Sequence, residues 1–533
     1  MLTRLRGGRI IDPLHHRDET GDLWIEGERL VPPPPDRAPD RDIDCEGLIV
    51  LAGAIDIHAH IAGANVNTAR LLLPELHDGT MFAAVPPTRL VGELFAAMGY
   101  TMVVEPAVSP HQALAAQHEL AAIPFIDKAI LCVLGNDDFA HRLIRAGEEA
   151  ALADYVARTL GAGGALGVKT INPGGALAFR EGAERFSLDD EVPRTGLSGR
   201  AILKAMQRAV ERLGLPHPLH LHCNNLGLPG NVETALATIE AAEGMRLHLA
   251  HLQFYAYGTE GPRGFSSAAP RLAEALNRHP NVTADVGQVM FGQTVTISSD
   301  VLRQFGARGQ AFPRKWSLTE AEGNGGGIVP YRYRPKNFFN AVQWAAGLEL
   351  FLLVEDPSRL FFTTDHPNGA PFTAYPDLFA LLMDRSLRAR WLEELPAEVR
   401  AVSVLAGLER EYTWREIALM TRAAPARLLG LADRGHLAPG ARADIACYRP
   451  QADKAEMFRR AEYVFKDGVL IMERGAPRCR HQGRLIAVAP PFDRAIERRL
   501  AAYYDEVFGA PLTAFDVPAA ALGEGMREVL PWP

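Results

Sequence analysis

The sequence has few cysteines, and none of them is arranged as a cluster site. Its 533 residues contain five Cys, at positions 45, 132, 223, 447 and 479, and no two of them form a C-x-x-C pair. An iron–sulfur cluster or a zinc ribbon held by this chain alone is therefore excluded, and the odd total gives no disulfide framework. The 17 His are the more promising supply of metal ligands.

Lysine is also scarce, and the overall charge is mildly acidic. The chain has 7 Lys against 49 Arg, and 64 Asp+Glu give a formal net charge of −8. This charge argues against a general affinity for nucleic acid or anionic membranes. The first ten residues lack the apolar core of a signal peptide, and the most apolar later stretch, residues 338–354, is interrupted by polar side chains. We expect a cytoplasmic protein without a membrane span, in which residues 338–354 form a partly buried helix.

Short apolar strands alternate with amphipathic helices through the middle of the chain. The predicted strands are residues 55–58, 100–105, 129–134, 166–171, 218–222, 246–251, 282–286 and 360–364. Eight such units predict an α/β fold with a (β/α)8 TIM-like barrel over residues 53–430. Residues 287–358 are too long for a plain connection, so they are predicted to include a lid insertion.

Both ends of the chain are rich in short strands with glycine turns. Residues 1–52 and 431–487 are predicted to form one small β-sandwich domain assembled from both termini. Residues 488–533 are predicted to form a helical tail available for contact with another subunit.

Histidines lie at the ends of three predicted barrel strands. Asp56-Ile-His-Ala-His60 ends the first strand, and alternate strand residues point the same way, so both imidazoles can face one metal ion. Leu219-His-Leu-His222 and His248-Leu-Ala-His251 end the fifth and sixth strands. We predict His222 and His251 as ligands because each is the last His before polar residues follow. A single histidine at a strand end is more typically a core residue whose ring nitrogens are hydrogen-bonded. The recurrence of histidines at several strand ends favours a metal site. The predicted His ligands are His58, His60, His222 and His251.

Two further residues complete the candidate site. Asp365 follows the eighth strand, where a desolvated carboxylate beside cations suits a metal ligand that also moves a proton; a helix N-cap is the alternative. Lys169 lies inside an apolar strand, where an unpaired ammonium is costly. It could pair with a neighbouring carboxylate, or CO₂ could carbamylate it to a carboxylate that bridges two metal ions. The residues alone leave both possibilities open.

This ordered set of residues resembles the binuclear pattern of the amidohydrolase superfamily. Residues 9–13, 440–446 and 466–468 are similar to the flanking segments of its dihydropyrimidinase-like and urease-like members. Within the superfamily, the chain resembles the A subunits of formylmethanofuran dehydrogenases and of formyltransferase/hydrolase complexes. That resemblance lies in residues 56–63, 169–175, 220–227, 229–231, 248–258, 291–296 and 364–369.

The resemblance implies a specific site and reaction. Lys169 would be N6-carboxylated and bridge two zinc ions, with His58, His60 and Asp365 on one metal and His222 and His251 on the other. The implied activity is reversible hydrolysis of an N-formyl amine, formyl-methanofuran or a methanofuran-like cofactor, to formate and free amine, with Asp365 moving the proton.

Three amides lie next to these ligands in the sequence and are candidate substrate contacts. They could donate hydrogen bonds to the formyl group, or instead support the ligands or cap local turns. They are Asn172, Asn224 and Gln253.

The resemblance also implies partner subunits. A formyltransferase and other subunits would accompany the chain in a hydrolase complex, whereas a molybdenum or tungsten pterin subunit would accompany it in a dehydrogenase. The Arg-rich, Lys-poor composition indicates a GC-rich genome, which favours the hydrolase complex of methylotrophic one-carbon metabolism. Two alternatives remain: a hydantoinase or dihydropyrimidinase-like cyclic amidase, and a structural relative without catalysis, which would normally have lost ligands.

Overall fold

The computed structural model describes residues 1–73, 88–261, 263–298, 300, 309–310 and 327–532. Its strands are β1 (Leu2–Asp12), β2 (Arg17–Glu26), β3 (Arg29–Val31), β4 (Arg41–Asp44), β5 (Ile49–Ala52), β6 (Ala54–Asp56), β7 (Tyr100–Val108), β8 (Asp127–Val133), β9 (Gly167–Ile171), β10 (Leu219–His222), β11 (Leu247–Leu249), β12 (Tyr257–Gly258), β13 (Ser266–Ser267), β14 (Val282–Asp285), β15 (Gly292–Ser298), β16 (Gly327–Tyr333), β17 (Leu360–Phe361), β18 (Ile445–Tyr448), β19 (Tyr463–Lys466), β20 (Val469–Glu473), β21 (Ala476–Pro477), β22 (Leu485–Ala487) and β23 (Arg527–Val529). Its α-helices are α1 (Ala64–Leu72), α2 (Thr88–Ala97), α3 (Ala113–Ala121), α4 (Asp138–Arg145), α5 (Glu149–Gly163), α6 (Gly175–Arg180), α7 (Gly199–Arg212), α8 (Val232–Ala241), α9 (Ala269–Arg278), α10 (Phe338–Leu353), α11 (Tyr375–Met383), α12 (Arg385–Glu393), α13 (Trp414–Ala418), α14 (Ala424–Leu428), α15 (Lys454–Arg459), α16 (Ala495–Phe508) and α17 (Ala519–Leu522). Over these described residues, no helix combines the length and apolarity needed to cross a membrane.

A curled parallel sheet forms the centre of the fold. Its strands pair in the order β6-β7-β8-β9-β10-β11-β14-β17, which is also their order along the chain. All of the strands predicted for the barrel are present, with helices between them. Just beyond β6 and β17 the curl brings the chain together, because Ala59 forms a bridge with His366 and the His60 N–H donates to the His366 carbonyl at 2.8 Å. The predicted α/β class with a barrel-like parallel sheet is confirmed.

Helix α7 shows how the local sequence builds one of these units. Ser198 caps its start, and its hydroxyl oxygen accepts a hydrogen bond from the Ala201 N–H at 3.2 Å. Apolar residues at helical spacing, including Ile202 and Met206, are buried against the sheet. The helix therefore delivers the chain to the start of β10, which carries two histidines.

The register of neighbouring strands aligns polar side chains inside the curl. Lys169 on β9 lies opposite His220 on β10, and His220 lies opposite His248 on β11. Paired residues of parallel strands point to the same face of the sheet. The three side chains therefore form one layer inside the curl, and His222 belongs to the next layer toward the carboxyl ends of the strands.

A separate sheet is built from both termini. It is a nine-stranded mixed sheet in which β18 to β21, from the C-terminal part, join β1 to β5, from the N-terminal part, through antiparallel pairing of β18 with β5. Some buried apolar residues of this sheet, such as Ile10, Val50 and Ile445, form a small core of their own, whereas others, such as Ile49 and Leu51, pack in the large core of the parallel sheet. Two segments far apart in sequence thus share one hydrophobic core.

One predicted boundary differs from the observed pairing. The prediction assigned residues through 487 to the terminal sheet, but β22 pairs in parallel with Lys128 and Ala129 of β8. The reason is that β9 pairs only with the later residues of β8, from Leu131 onward, which leaves the start of β8 with open hydrogen-bonding positions. The buried apolar strand β22 occupies these positions.

The segment after β22 packs against the barrel of its own chain. It contains helix α16, in agreement with the predicted helical tail. Unlike that prediction, the segment ends in strand β23, which pairs with β22. The Val517 N–H donates to the Ala162 carbonyl at 2.8 Å, and Asp516 pairs with Arg158 at 2.8 Å. Contact of this tail with another subunit stays a prediction.

The predicted lid insertion contains an antiparallel hairpin and a long helix. Strands β15 and β16 pair over their full lengths, and α10 follows. The helix predicted over residues 338–354 is present as α10, but almost all of it is buried, which is more than the partial burial predicted. Residues 299, 301–308 and 311–326 of the predicted lid lie outside the described residues.

Candidate metal centre

The six predicted metal ligands line one cavity at the carboxyl end of the parallel sheet. The cavity has a volume of about 880 Å³ and is bordered on one side by the hairpin β15–β16. Lys169 lies within β9, whereas the other five residues lie at or beyond the carboxyl ends of their strands, with His58 and His60 both following β6. The lining ligand residues are His58, His60, Lys169, His222, His251 and Asp365.

The ligand atoms form two close groups. In the first, Oδ1 of Asp365 lies 3.0 Å from Nε2 of His58 and 3.3 Å from Nε2 of His60. In the second, Nδ1 of His222 lies 2.9 Å from Nε2 of His251. Ligand atoms of His58, His251 and Asp365 all lie within 4.8 Å of one another, so the two groups are adjacent.

A buried polar atom without a hydrogen-bond partner indicates whether these residues suit a metal ion. Oδ1 of Asp365 is buried and has no hydrogen-bond partner within the described residues, although two imidazole nitrogens lie within 3.3 Å of it. Close approach without hydrogen-bond geometry is typical of ligands that converge on a cation. Buried polar groups are otherwise nearly always paired. The donor set of imidazole and carboxylate therefore fits a divalent metal.

Lys169 lies deep in this cavity without an ion pair. It is 2% exposed, and within the described part of the chain no carboxylate oxygen lies within 4.0 Å of its Nζ. Burial lowers the pKa of Lys169 to about 8, although the carboxylates of Asp285 and Asp365 oppose this effect. The salt bridge considered as one explanation for this lysine is therefore not formed among the described residues.

Three carboxylates accept hydrogen bonds from the ring nitrogens of His58, His60 and His222 that face away from the cavity. Asp285 accepts from Nδ1 of His58 at 2.9 Å, and Glu105 accepts from Nδ1 of His60 at 2.9 Å. Asp300 accepts from Nε2 of His222, also at 2.9 Å. Such contacts fix the ring orientation and the tautomer of a metal-binding histidine.

The sequence interpretation missed these three carboxylates. Glu105 and Asp285 lie near or at the ends of predicted strands, so the same strand-end argument that identified Asp365 could have found them. Asp300 lies after the hairpin strand β15, where no local pattern marks it. It also accepts a hydrogen bond from Nδ2 of Asn172 at 2.9 Å.

The carboxylates also set the charge of the site. Burial alone would disfavour the imidazolium of His60, but Glu105 and Asp365 outweigh it and raise the pKa of His60 to about 10. Burial opposes ionisation of Asp365 as well, yet the nearby His251 and His58 hold its pKa well below the ordinary value. The site therefore favours an ionised Asp365.

The remaining strand-end histidines lie outside the cavity lining. Nε2 of His220 is 3.1 Å from Nδ1 of His58, and Nε2 of His248 is 3.1 Å from Oδ2 of Asp285. His217 extends this chain through a 3.1 Å contact with His220. These histidines support the ligands from inside the curl, whereas His222 and His251 face the cavity.

The three predicted substrate amides make contacts within the protein. Asn172 donates to Asp300, Asn224 donates to the Pro173 carbonyl at 3.2 Å, and Gln253 donates to the Tyr257 hydroxyl. An oxygen of each side chain, Oδ1 or Oε1, is buried without a partner in the described residues. Their donors thus support neighbouring segments, and their role as substrate contacts stays a prediction.

Comparison with known proteins defines the class of this fold and site. The model of the family described as "Amidohydrolase family" matches residues 41–472. The chain belongs to the amidohydrolase family. A more distant structure, an N-acyl-D-glutamate deacylase from Bordetella bronchiseptica complexed with zinc and a phosphonate inhibitor, shares the fold with a TM-score of 0.53 at 17% identity, over 91% of this chain and 98% of that one.

Two relatives are similar to almost the whole chain. The A subunit of the formyltransferase/hydrolase complex Fhc of Methylorubrum extorquens is 51% identical over 98% of both chains. Protein FwdA of Methanocaldococcus jannaschii is 37% identical over 88% of both chains. A crystal structure of the formyltransferase/hydrolase complex FhcABCD from Methylorubrum extorquens, in complex with methylofuran, contains a chain that matches this one with a TM-score of 0.94 over 100% of both.

Proposed function

We propose that this chain is the hydrolase subunit of a cytoplasmic formyltransferase/hydrolase complex in methylotrophic one-carbon metabolism. It would hydrolyse, reversibly, an N-formyl amine such as formyl-methylofuran to formate and the free amine. The observation that carries this proposal is the convergence of six candidate ligands on one cavity. The 51% identity to the corresponding Fhc chain, over nearly the full length, supports the same reaction.

The proposed cofactor is a pair of zinc ions bridged by N6-carboxylated Lys169. His58, His60 and Asp365 would hold one ion, and His222 and His251 would hold the other. The absence of an ion pair at the buried Lys169, within the described residues, supports carboxylation, because a carbamate replaces an unpaired ammonium by a metal ligand. Bound zinc supplies a Lewis acid and lowers the pKa of coordinated water to about 7.

Residues of the chain would then transfer the proton of the attacking water and exclude bulk water. Asp365 is ionised and faces the cavity between His58 and His60, so it is placed to accept a proton from the attacking water. The same carboxyl group would deliver that proton to the departing amine nitrogen. The side chains around Asp365, including His58 and His251, are buried, so this exchange would take place in a low-dielectric environment that strengthens each interaction.

The proposed partners are a formyltransferase and the other subunits of the complex. A dehydrogenase context is the second candidate, because the chain is also 37% identical to protein FwdA. The two differ in metal content outside this chain: only the dehydrogenase would bring a molybdenum or tungsten pterin subunit. Purification of the native complex and elemental analysis for these two metals separates the candidates.

The central experiment measures formate release by the native complex. Purified complex is incubated with N-formyl-methylofuran, and formate is quantified with and without prior removal of metal by a chelator. We expect release that is lost on chelation and restored by zinc. A fully metal-loaded complex that releases no formate would contradict the proposal, and ring opening of dihydrouracil by the same preparation would favour a cyclic amidase instead.

A further inference from the structure

Asn368 lies in the cavity wall close to the candidate proton carrier. It follows Asp365 in the Asp-His-Pro-Asn-Gly stretch after β17, and its side chain lines the same cavity as His58 and Asp365. The residue is 8% exposed. Nothing in the metal-binding scheme uses its carboxamide.

The orientation of the Asn368 carboxamide follows from one hydrogen bond. The Ile297 N–H, on the hairpin strand β15, donates to Oδ1 of Asn368 at 2.7 Å. Because a backbone N–H can only donate, the atom facing Ile297 must be the oxygen. The amino group, Nδ2, therefore points elsewhere, and the one side-chain hydrogen bond of Asn368 in the described part of the chain is the one through Oδ1.

The loop that carries Asn368 is firmly held. The Asn368 N–H donates to the Asp365 carbonyl at 2.6 Å, and the Gly369 N–H donates to the Thr364 carbonyl at 2.9 Å. From the hairpin, the Thr294 hydroxyl donates to the Pro367 carbonyl. A Cβ added at Gly369 would lie 2.6 Å from the carbonyl oxygens of Gln288 and Thr364, so the close packing of the loop leaves no room for a side chain at this position.

Asn136, in the wall of the same cavity, is an asparagine with a purely structural role and serves as a comparison. Its Nδ2 donates to the Ile171 carbonyl at 2.5 Å, and its Oδ1 accepts from the Gly174 N–H at 2.9 Å. Both ends of that carboxamide are used within the protein. Asn368 differs because, among the residues that the structure describes, only its acceptor has a partner and its donor has none.

We propose that Asn368 is a substrate-contacting residue whose Nδ2 donates a hydrogen bond to the carbonyl oxygen of the formamide group. This inference rests on the proposed function. A carbonyl oxygen gains negative charge when a nucleophile adds to the formyl carbon, and a donor fixed in advance stabilises that charge. The product amine has no such oxygen, so Asn368 distinguishes the formylated from the free carrier.

The test uses two variants of the native complex. Asn368→Asp keeps the oxygen that accepts from Ile297 but replaces the donor by a carboxylate oxygen, whereas Asn368→Ala removes the donor without adding charge. For each, kcat/KM for the formyl substrate, zinc content and the Kd of the free amine are measured. We expect kcat/KM to fall about 10²- to 10³-fold in both variants. Zinc content should be unchanged, and amine binding by Asn368→Ala should stay within about threefold of wild type.

Asn277→Ala is the matched control, because it removes a carboxamide that pairs with the Leu353 carbonyl and the Glu355 N–H away from the cavity. It should keep the wild-type ratio of kcat/KM to amine affinity. The inference is overturned if either Asn368 variant keeps kcat/KM within about threefold of an active wild type, or if amine binding by Asn368→Ala weakens in parallel with kcat/KM. An inactive wild type, by contrast, would contradict the proposed function.

Discussion

Asp285 accepts a hydrogen bond from Nδ1 of His58 at 2.9 Å, which leaves Nε2 of that imidazole facing the cavity. The other oxygen of Asp285 accepts from the His251 backbone N–H at 2.7 Å. One carboxylate therefore holds a candidate ligand from each of the two groups. The relative placement of both groups depends on a residue that is not itself a ligand.

Replacing Asp285 by Asn should weaken metal binding. An amide offers one acceptor oxygen, so it cannot hold both His58 and the His251 backbone N–H as the carboxylate does. We expect about a 10- to 100-fold loss of zinc affinity, measured by metal analysis after dialysis against graded chelator concentrations. Asp18→Asn, which changes an exposed ion pair with Arg9, is the control. Unchanged zinc affinity in Asp285→Asn would show that this carboxylate does not position the ligands.

Reconstitution should depend on CO₂ if Lys169 is carboxylated. We expect metal-free protein to take up zinc slowly in CO₂-depleted buffer and faster when bicarbonate is added, because the carbamate must form before it can bind metal. Lys169→Met should lose bicarbonate dependence together with most of the bound metal, as measured by elemental analysis. Lys204→Met, which removes a partly exposed lysine paired with Glu243, should behave as wild type. Bicarbonate-independent uptake by the wild type would argue against the carbamate.

Asp365→Asn should retain metal and lose turnover. The amide can still offer an oxygen to the site, but it cannot accept and return a proton at neutral pH. We expect zinc content close to wild type and a fall in kcat of at least about 10²-fold, measured as formate release. The exposed helix cap Asp356 provides a control variant, Asp356→Asn. Substantial remaining turnover in Asp365→Asn would refute its role as the proton carrier.

The buried Lys128 should make stability depend on pH. Its Nζ donates to the carbonyls of Ile123 and Gly483, and burial lowers the pKa of Lys128 to about 7, against about 10.4 in an unfolded chain. Between these two values the unfolded chain binds a proton that the folded chain does not, so this group's destabilising effect is largest near pH 7 and disappears as pH rises to about 10. The wild type should therefore gain stability as pH rises from 7 to 10, and Lys128→Met should lack this gain. The Tm of the variant minus the Tm of the wild type should accordingly become more negative over this range.

A neighbouring lysine provides the contrast for that measurement. Lys466 is equally buried, but Asp127, Asp444 and Asp467 surround its Nζ at 2.9–3.1 Å, and these carboxylates outweigh burial and raise its pKa. Since Lys466 stays protonated in the folded protein throughout this range, Lys466→Met should lower the Tm at every pH. A Tm difference for Lys128→Met that does not change with pH would contradict the lowered pKa.

Much of the site could be predicted because its signals are local. His58 and His60 share one strand end, and Asp365 ends an apolar run, so each could be recognised within a few residues of sequence. Strand β22 could not be assigned correctly, because three apolar residues fit either sheet. Its place depends on which open backbone positions remain on β8.

The amino-acid sequence by itself determined the alternation of strands and helices, and with it the strand ends at which polar side chains gather. Only the tertiary structure decided which of those side chains meet. Asp285, Asp300 and Asn368 are oriented by contacts with residues distant in the chain, namely His58, His222 and Ile297. Periodicity follows from the local geometry of the backbone, whereas a hydrogen bond between distant residues depends on the curl and register of the whole sheet.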